Sequence, residues 1–338
     1  MKSLYQHIIE VPSVEWNYYE GIDPFDEISN PFEGTLSYND FILKFFRRGG
    51  KVRIFENCGI EIKDLNRPNH ICSVFFLGVL MYYRTGLHKK YQTSNNDPGY
   101  RSFPFIWFLI ALFHDNAYEM EGENKLTEVR TLDDLKHHFN IQKFLFDLSS
   151  SRCPELMNAR EHYFRYRKEV MRKVDHGLLG GILLYDRLYE IREQKKREHE
   201  DDLFWGKKLV RQYKLAADAI SLHNMFRPSK DREEVYREYK LGNLIGLPPT
   251  SFKEFPLFYI LGVVDTLEPL KKFSEAGFDD KYILENILVD FGDNGFAMSN
   301  KPGSKLDFRQ VIKNANDLKT WLDVEVKTDS DRFEIIFK

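Results

Sequence analysis

Hydrophobic and polar positions divide the 338-residue chain into three stretches. The first fifty residues are irregular, punctuated by Pro12, Gly21, Pro24, Pro31 and Gly34, with a short amphipathic piece over 38–48. Gly49-Gly50 reads as a boundary. Residues 51–63 alternate weakly, as a strand pair would. From Pro68 the period becomes helical. Helices are expected over 69–84, closed by Thr85-Gly86, and over 104–118, which is apolar almost all round and belongs in a core. A third is expected over 132–148, with Thr131 as N-cap and Asp133 and Asp134 in its first turn. Further helices are expected over 155–172, 174–193, 203–225 and 252–273, with the charged run EQKKREHEDD as an exposed connection. The tail returns to alternation at 282–291, 295–299, 323–328 and 332–337, around an amphipathic helix at 308–322. The pattern predicts a mainly α fold, a helical bundle with a small C-terminal α+β appendage. The expected boundaries are 1–50 for an N-terminal extension, 51–275 for the helical body and 276–338 for the appendage.

Composition narrows the class. Lys and Arg number 49 against 52 Asp and Glu, a net charge of −3, which argues against a general nucleic-acid binder. The chain is rich in rings, with 28 Phe and 18 Tyr, so a membrane origin for them is the first thing to test. The longest apolar stretches, 74–83 and 103–113, are roughly half the ~20 residues a spanning helix needs. The amino terminus carries Glu10 and Glu15 and no long apolar segment, unlike a secretory signal. Cys58, Cys72 and Cys153 form no CxxC pair, in keeping with a reducing cytoplasm. A cytoplasmic protein with no membrane partner is expected.

The histidines carry the chemistry. His7, His88, His137, His138, His162 and His199 stand near the start or among charged residues and read as solvated. His70, His114, His176 and His223 stand inside apolar helical text, as do Asp115 and Asp265. Four imidazoles and two carboxylates in apolar surroundings are costly unless something neutralises them. A metal cluster does so directly, and this donor set suits divalent Mn, Fe, Zn, Ni or Mg. The candidates come from separate helices, as metal sites in bundle cores do.

The order His70, His114-Asp115, His176, His223, Asp265, with the flanking text HDNAYE, DHGLLGG and SLHN, resembles the HD superfamily of metal-dependent phosphohydrolases over roughly residues 52–275. The resemblance implies an HD-type bundle and two divalent ions. His70, His114, Asp115 and Asp265 would hold one, and Asp115 as bridge with His176 and His223 the other. It further implies hydrolysis, by a metal-activated water, of a phosphate ester in a nucleotide or related small phosphorylated molecule. The sequence departs from the family's better-defined branches. Tyr118 and Glu119 stand where alarmone hydrolases carry Glu-Asp, and no GYP signature follows. Two alternatives stay open: an HD-fold di-iron oxygenase, and a catalytically silent nucleotide- or metal-sensing module.

Glu119, Lys173 and Arg227 join Asp115 as candidate catalytic groups. Glu119 would orient a ligand or handle a proton, and Lys173, Arg227 and Arg67 would reach phosphate oxygens. The stretch 120–172 reads as an insertion that shapes the substrate entrance. Within it, 160–173 interleaves basic and aromatic residues. An amphipathic helix with a solvated basic face is favoured there over a single-strand nucleic-acid groove. Tyr163, Phe164 and Tyr166 are candidates to line the entrance and stack on a base.

Overall fold

A computed structural model describes residues 1–20, 28–47, 51–56, 65, 67–94, 103–122, 126–147, 153–198, 207–225 and 227–338. It is mainly helical, with one small antiparallel sheet. Among the described residues, no helix is long and apolar enough to cross a membrane. The chain forms two compact units. One contains 1–45, 67–111 and 249–338, and the other 46–66 and 112–248.

The first unit is organised around the helix Pro68–Arg84, which buries an unbroken run from His70 to Tyr82. A helix apolar on every side has to run through a core, and this one packs against the helices Phe103–Ala111 and Pro256–Leu267. Trp107 donates its indole N–H to the Phe75 carbonyl at 2.8 Å, which satisfies the one polar atom that its burial would otherwise strand. Phe41, Phe45, Phe75, Phe76 and Phe108 pack on one another with ring centroids 5.0–5.8 Å apart. Much of the aromatic excess is therefore core.

The sheet of this unit has the order β1-β2-β3-β5-β4, with β1 Lys2–Ser3, β2 Ile287–Gly292, β3 Gly295–Asn300, β4 Val324–Thr328 and β5 Arg332–Phe337. Val289 pairs with Met298, and Met298 with Phe333, so alternation puts these buried side chains on one face. The helix Arg309–Leu318 packs against β4 and β5 with Val311, Ala315 and Leu318 buried. The small C-terminal sheet expected from the alternation is present, and it takes its edge strand β1 from the amino terminus.

Several expected elements differ. Residues 282–286 belong to the helix Asp280–Asn286, not to a strand, because the Asp279 side chain caps it by accepting from Tyr282 N–H. The expected helix 252–273 is two, Pro256–Leu267 and Leu270–Glu275. Pro269 interrupts it, and the Glu268 carboxylate takes the freed N–H groups of Leu270 and Lys271 at 2.7 and 3.0 Å. In the second unit, Arg53–Glu56 is helical where a strand pair was expected; the rest of that pair, 57–63, lies outside the described residues.

The second unit is built on the helices Pro154–Glu169, His176–Arg197 and Lys207–Leu222. The last two pack closely because glycines face the contact. A methyl group at Gly181 would stand 2.5 Å from the Ala217 carbonyl, and one at Gly177 would stand 2.9 Å from His223 Nδ1. Thr131 caps Leu132–His138 in a capping box with Asp134, as expected. That helix stops ten residues early, where Asn140 turns left-handed at φ +51°. The following loop is held by Asp186, which accepts from the N–H groups of Gln142 and Lys143 at 2.8 and 2.6 Å.

Candidate metal centre

The helix expected over 104–118 ends at Ala111. Residues 112–117 form turns and Tyr118–Met120 a 3-10 turn, with Asn116 N–H donating to Phe113 O and Tyr118 N–H to Asp115 O. His114 and Asp115 therefore sit in a tight turn where an unbroken helix was expected. The turn frees them from the 100° separation that a helix imposes on neighbours, and both are buried.

Asp115 is the focus of the second unit's cluster. Its Oδ1 lies 3.2 Å from His176 Nε2, 3.6 Å from His114 Nε2 and 4.0 Å from His223 Nε2. The two imidazole nitrogens of His176 and His223 stand 3.2 Å apart. His176 is the first residue of its helix. Asp175 caps that helix by accepting from Leu178 N–H at 3.0 Å, so the positive end of the helix dipole faces the carboxylate.

The far nitrogen of each ring fixes the near one. His223 Nδ1 lies 2.6 Å from the Ile220 carbonyl, which can only accept, so Nδ1 carries the proton and Nε2 presents its lone pair. His176 Nδ1 lies 2.6 Å from Glu121 Oε2. The other Glu121 oxygen takes Arg167 and, at 3.1 Å, Lys173. Burial alone would raise the Glu121 carboxyl, but the His176 hydrogen bond and the Arg167 and Lys173 charges outweigh it and hold the group at about 2. Burial alone would lower His176, but Asp115 and Glu121 outweigh it and raise the imidazole to about 10. The cluster thus favours a positive charge at His176 Nε2, beside the His223 lone pair and the Asp115 carboxylate. A proton supplies it in the metal-free protein; a divalent cation satisfies the same three groups.

The donor set fits such an ion. Asp115, His176 and His223 each offer a ligand atom, all within 4.8 Å of one another and all buried. Imidazole plus carboxylate suits borderline and hard divalent metals, and a histidine ligand whose other nitrogen donates to a carboxylate is the usual way such a ring is oriented. The first unit repeats this arrangement. His70 Nε2 stands 3.2 Å from Asp265 Oδ1, while His70 Nδ1 is 2.6 Å from Glu268 Oε2.

Glu121 and Glu268 are site residues that the sequence reading did not find. Glu119 is exposed, and Glu121, two residues on, is the carboxylate that meets His176. The signal was a second Glu in EMEGE, legible only once the helix is known to stop at Ala111. Glu268 was hidden inside an apparently continuous helix. Asn224 also lies in the cluster, with its amide nitrogen 2.7 Å from His176 Nε2 and its backbone carbonyl accepting from the Tyr163 hydroxyl. Arg227 donates to the carbonyls of Leu247 and Pro248, and Arg67 pairs with Glu275 at 2.6 Å.

Compared with known proteins, the chain matches no family model, no curated protein and no solved structure.

Proposed function

We propose that the protein is an HD-type, metal-dependent phosphohydrolase acting on a phosphate ester of a nucleotide or related small phosphorylated molecule. The observation that carries the reading is the convergence of three histidine Nε2 atoms on Asp115 Oδ1. His114 is Asp115's neighbour in the chain, His176 and His223 come from distant parts of it, and the four follow the order of the HD pattern. In that pattern His70 and Asp265 complete the ligand set. Bound divalent ions would supply Lewis-acid polarisation of the phosphoryl oxygens and a water acidic enough to ionise near neutral pH.

The chain's own residues would do the rest. Asp115 provides the negative charge that draws cations into a buried site, and His114, His176 and His223 provide neutral donors. Glu121 and Glu268 hold the protons of His176 and His70 on Nδ1, so that each Nε2 faces the ligand position. Lys173, about one-third exposed beside Glu121, would meet a phosphate oxygen arriving next to His176.

The test is phosphate release by the purified full chain, with and without Mn²⁺, from p-nitrophenyl phosphate, bis-p-nitrophenyl phosphate and a nucleotide panel. Turnover that needs metal and disappears with a chelator is expected. No release from any member of the panel would count against the reading. O₂ consumption by the iron-loaded protein in place of hydrolysis would favour the oxygenase alternative.

A further inference from the structure

Arg167 stands in the last turn of the helix Pro154–Glu169, which contributes none of the candidate ligands. It is only 7% exposed, and a guanidinium is seldom buried so far without a carboxylate to meet it. Here it meets two. Its Nη2 donates to Glu121 Oε1, and its Nε lies 3.2 Å from Asp175 Oδ2. Glu121 is the carboxylate on His176 Nδ1. Asp175 is fully buried, precedes His176 in the chain and caps the helix that His176 begins. One side chain thus fixes both the carboxylate that orients the His176 ring and the one that sets the helix end bearing it.

Closing the loop between the two helices does not require this side chain. The Arg167 carbonyl accepts from the N–H groups of Met171 and Lys173, both at 3.2 Å, and those main-chain bonds are open to any residue at 167. Lys173 also reaches Glu121, at 3.1 Å, but with about one-third of its side chain exposed. Among the described residues, Arg167 is the only lysine or arginine paired with Asp175. A buried carboxylate with no cation beside it is costly. A lysine places one charged atom, whereas a guanidinium presents its donors in a rigid plane and so holds two carboxylates at a fixed separation.

We infer that Arg167 is a positioning residue of the second unit's metal centre, acting through Glu121 and Asp175 to hold His176 Nε2 at the ligand position without touching the ion. This role rests on the metal-binding part of the phosphohydrolase reading and on none of its chemistry.

Mn²⁺ titration of the full chain, with no substrate present, tests it. Arg167→Met removes the charge and is expected to weaken Mn²⁺ binding at least about tenfold, as removing a group behind a metal ligand does. Arg167→Lys keeps a cation beside the carboxylates but loses the fork. It is expected to recover part of that loss and still bind at least about threefold more weakly than the parent, and it reads the effect even where the methionine variant fails to fold. Arg165→Met, at an exposed position on the same helix, stays within about twofold. A general weakening of the fold would multiply with the loss from Glu121→Gln, whereas action through Glu121 would not. Arg167→Met combined with Glu121→Gln is therefore expected to lose at least about threefold less than the product of the separate losses. A lysine variant that binds like the parent, or losses that multiply in full, would overturn the inference and leave the metal centre standing. A parent chain that takes up no Mn²⁺ would remove the metal centre and the inference with it. A protein that responds as expected but hydrolyses nothing keeps the role of Arg167 and loses the phosphohydrolase reading.

Discussion

His176 concentrates the chemistry of this protein in one ring, with a carboxylate on each nitrogen. Glu121→Gln keeps the shape but removes the charge that holds the Nδ1 proton. Affinity for Mn²⁺ is expected to fall about 10- to 100-fold, while Glu119→Gln, on an exposed side chain, stays within about twofold; metal titration of the two variants checks this. Equal losses would mean that Glu121 has no special hold on the site. The pH dependence follows from the same ring. In the metal-free fold His176 is raised from 6.5 to about 10. Its proton therefore stabilises that fold fully below pH 6.5, and the contribution is lost as the pH climbs through 10. Glu121, lowered from 4.5 to about 2, contributes above pH 4.5 and is lost as the pH falls toward 2. The pair favours the metal-free fold most between 4.5 and 6.5. A cation has to displace the His176 proton, so Mn²⁺ affinity should rise about tenfold per unit between about pH 7 and 9. A flat profile in that window would remove His176 from the ligand set. The histidines and aspartates were legible because buried ionisable groups in apolar text need a reason. Glu121 was not, because it lies in a turn where no periodicity marks what is buried.

Helix ends decided how much of the architecture could be read. Where a side chain caps an end in sequence-local fashion, as Thr131 does with Asp134, the start is visible. Where the cap is a tertiary accident of the same residues, it is not. Glu268 ends one helix, caps the next and holds His70, yet in the sequence it is one more Glu in a helical run. The apolar text of 104–118 is equally compatible with a buried helix and with a helix followed by a buried turn, since burial erases the polar face that would show the difference. The pairing of His176–Arg197 with Lys207–Leu222 gives the sharpest test at this scale. Gly181→Ala puts a methyl 2.5 Å from the Ala217 carbonyl and 2.8 Å from Ser221 Cβ, so the helices must separate. A loss of about 1–3 kcal/mol in urea denaturation is expected, with Mn²⁺ affinity falling alongside it because His176 and His223 sit at that contact. Lost stability with unchanged metal affinity would show that the helix spacing does not govern the cluster.

For the molecule as a whole, the aromatic residues and the histidines answer each other. Rings such as Phe41, Phe45, Phe75 and Phe108 in one unit, and Phe46, Phe55 and Phe113 in the other, build dry interiors. A dry interior is what makes an uncompensated Asp115 expensive. Metal binding should then be folding free energy. Saturating Mn²⁺ is expected to raise the melting temperature of the full chain, with no such rise in Asp115→Ala. The same substitution gives the most direct measurement of the central claim, elemental analysis of the purified native protein and of Asp115→Ala. Two divalent ions per chain in the native protein and none in the variant are predicted. A native protein that carries no metal and takes up none, or a variant that keeps its ions, would contradict the assignment.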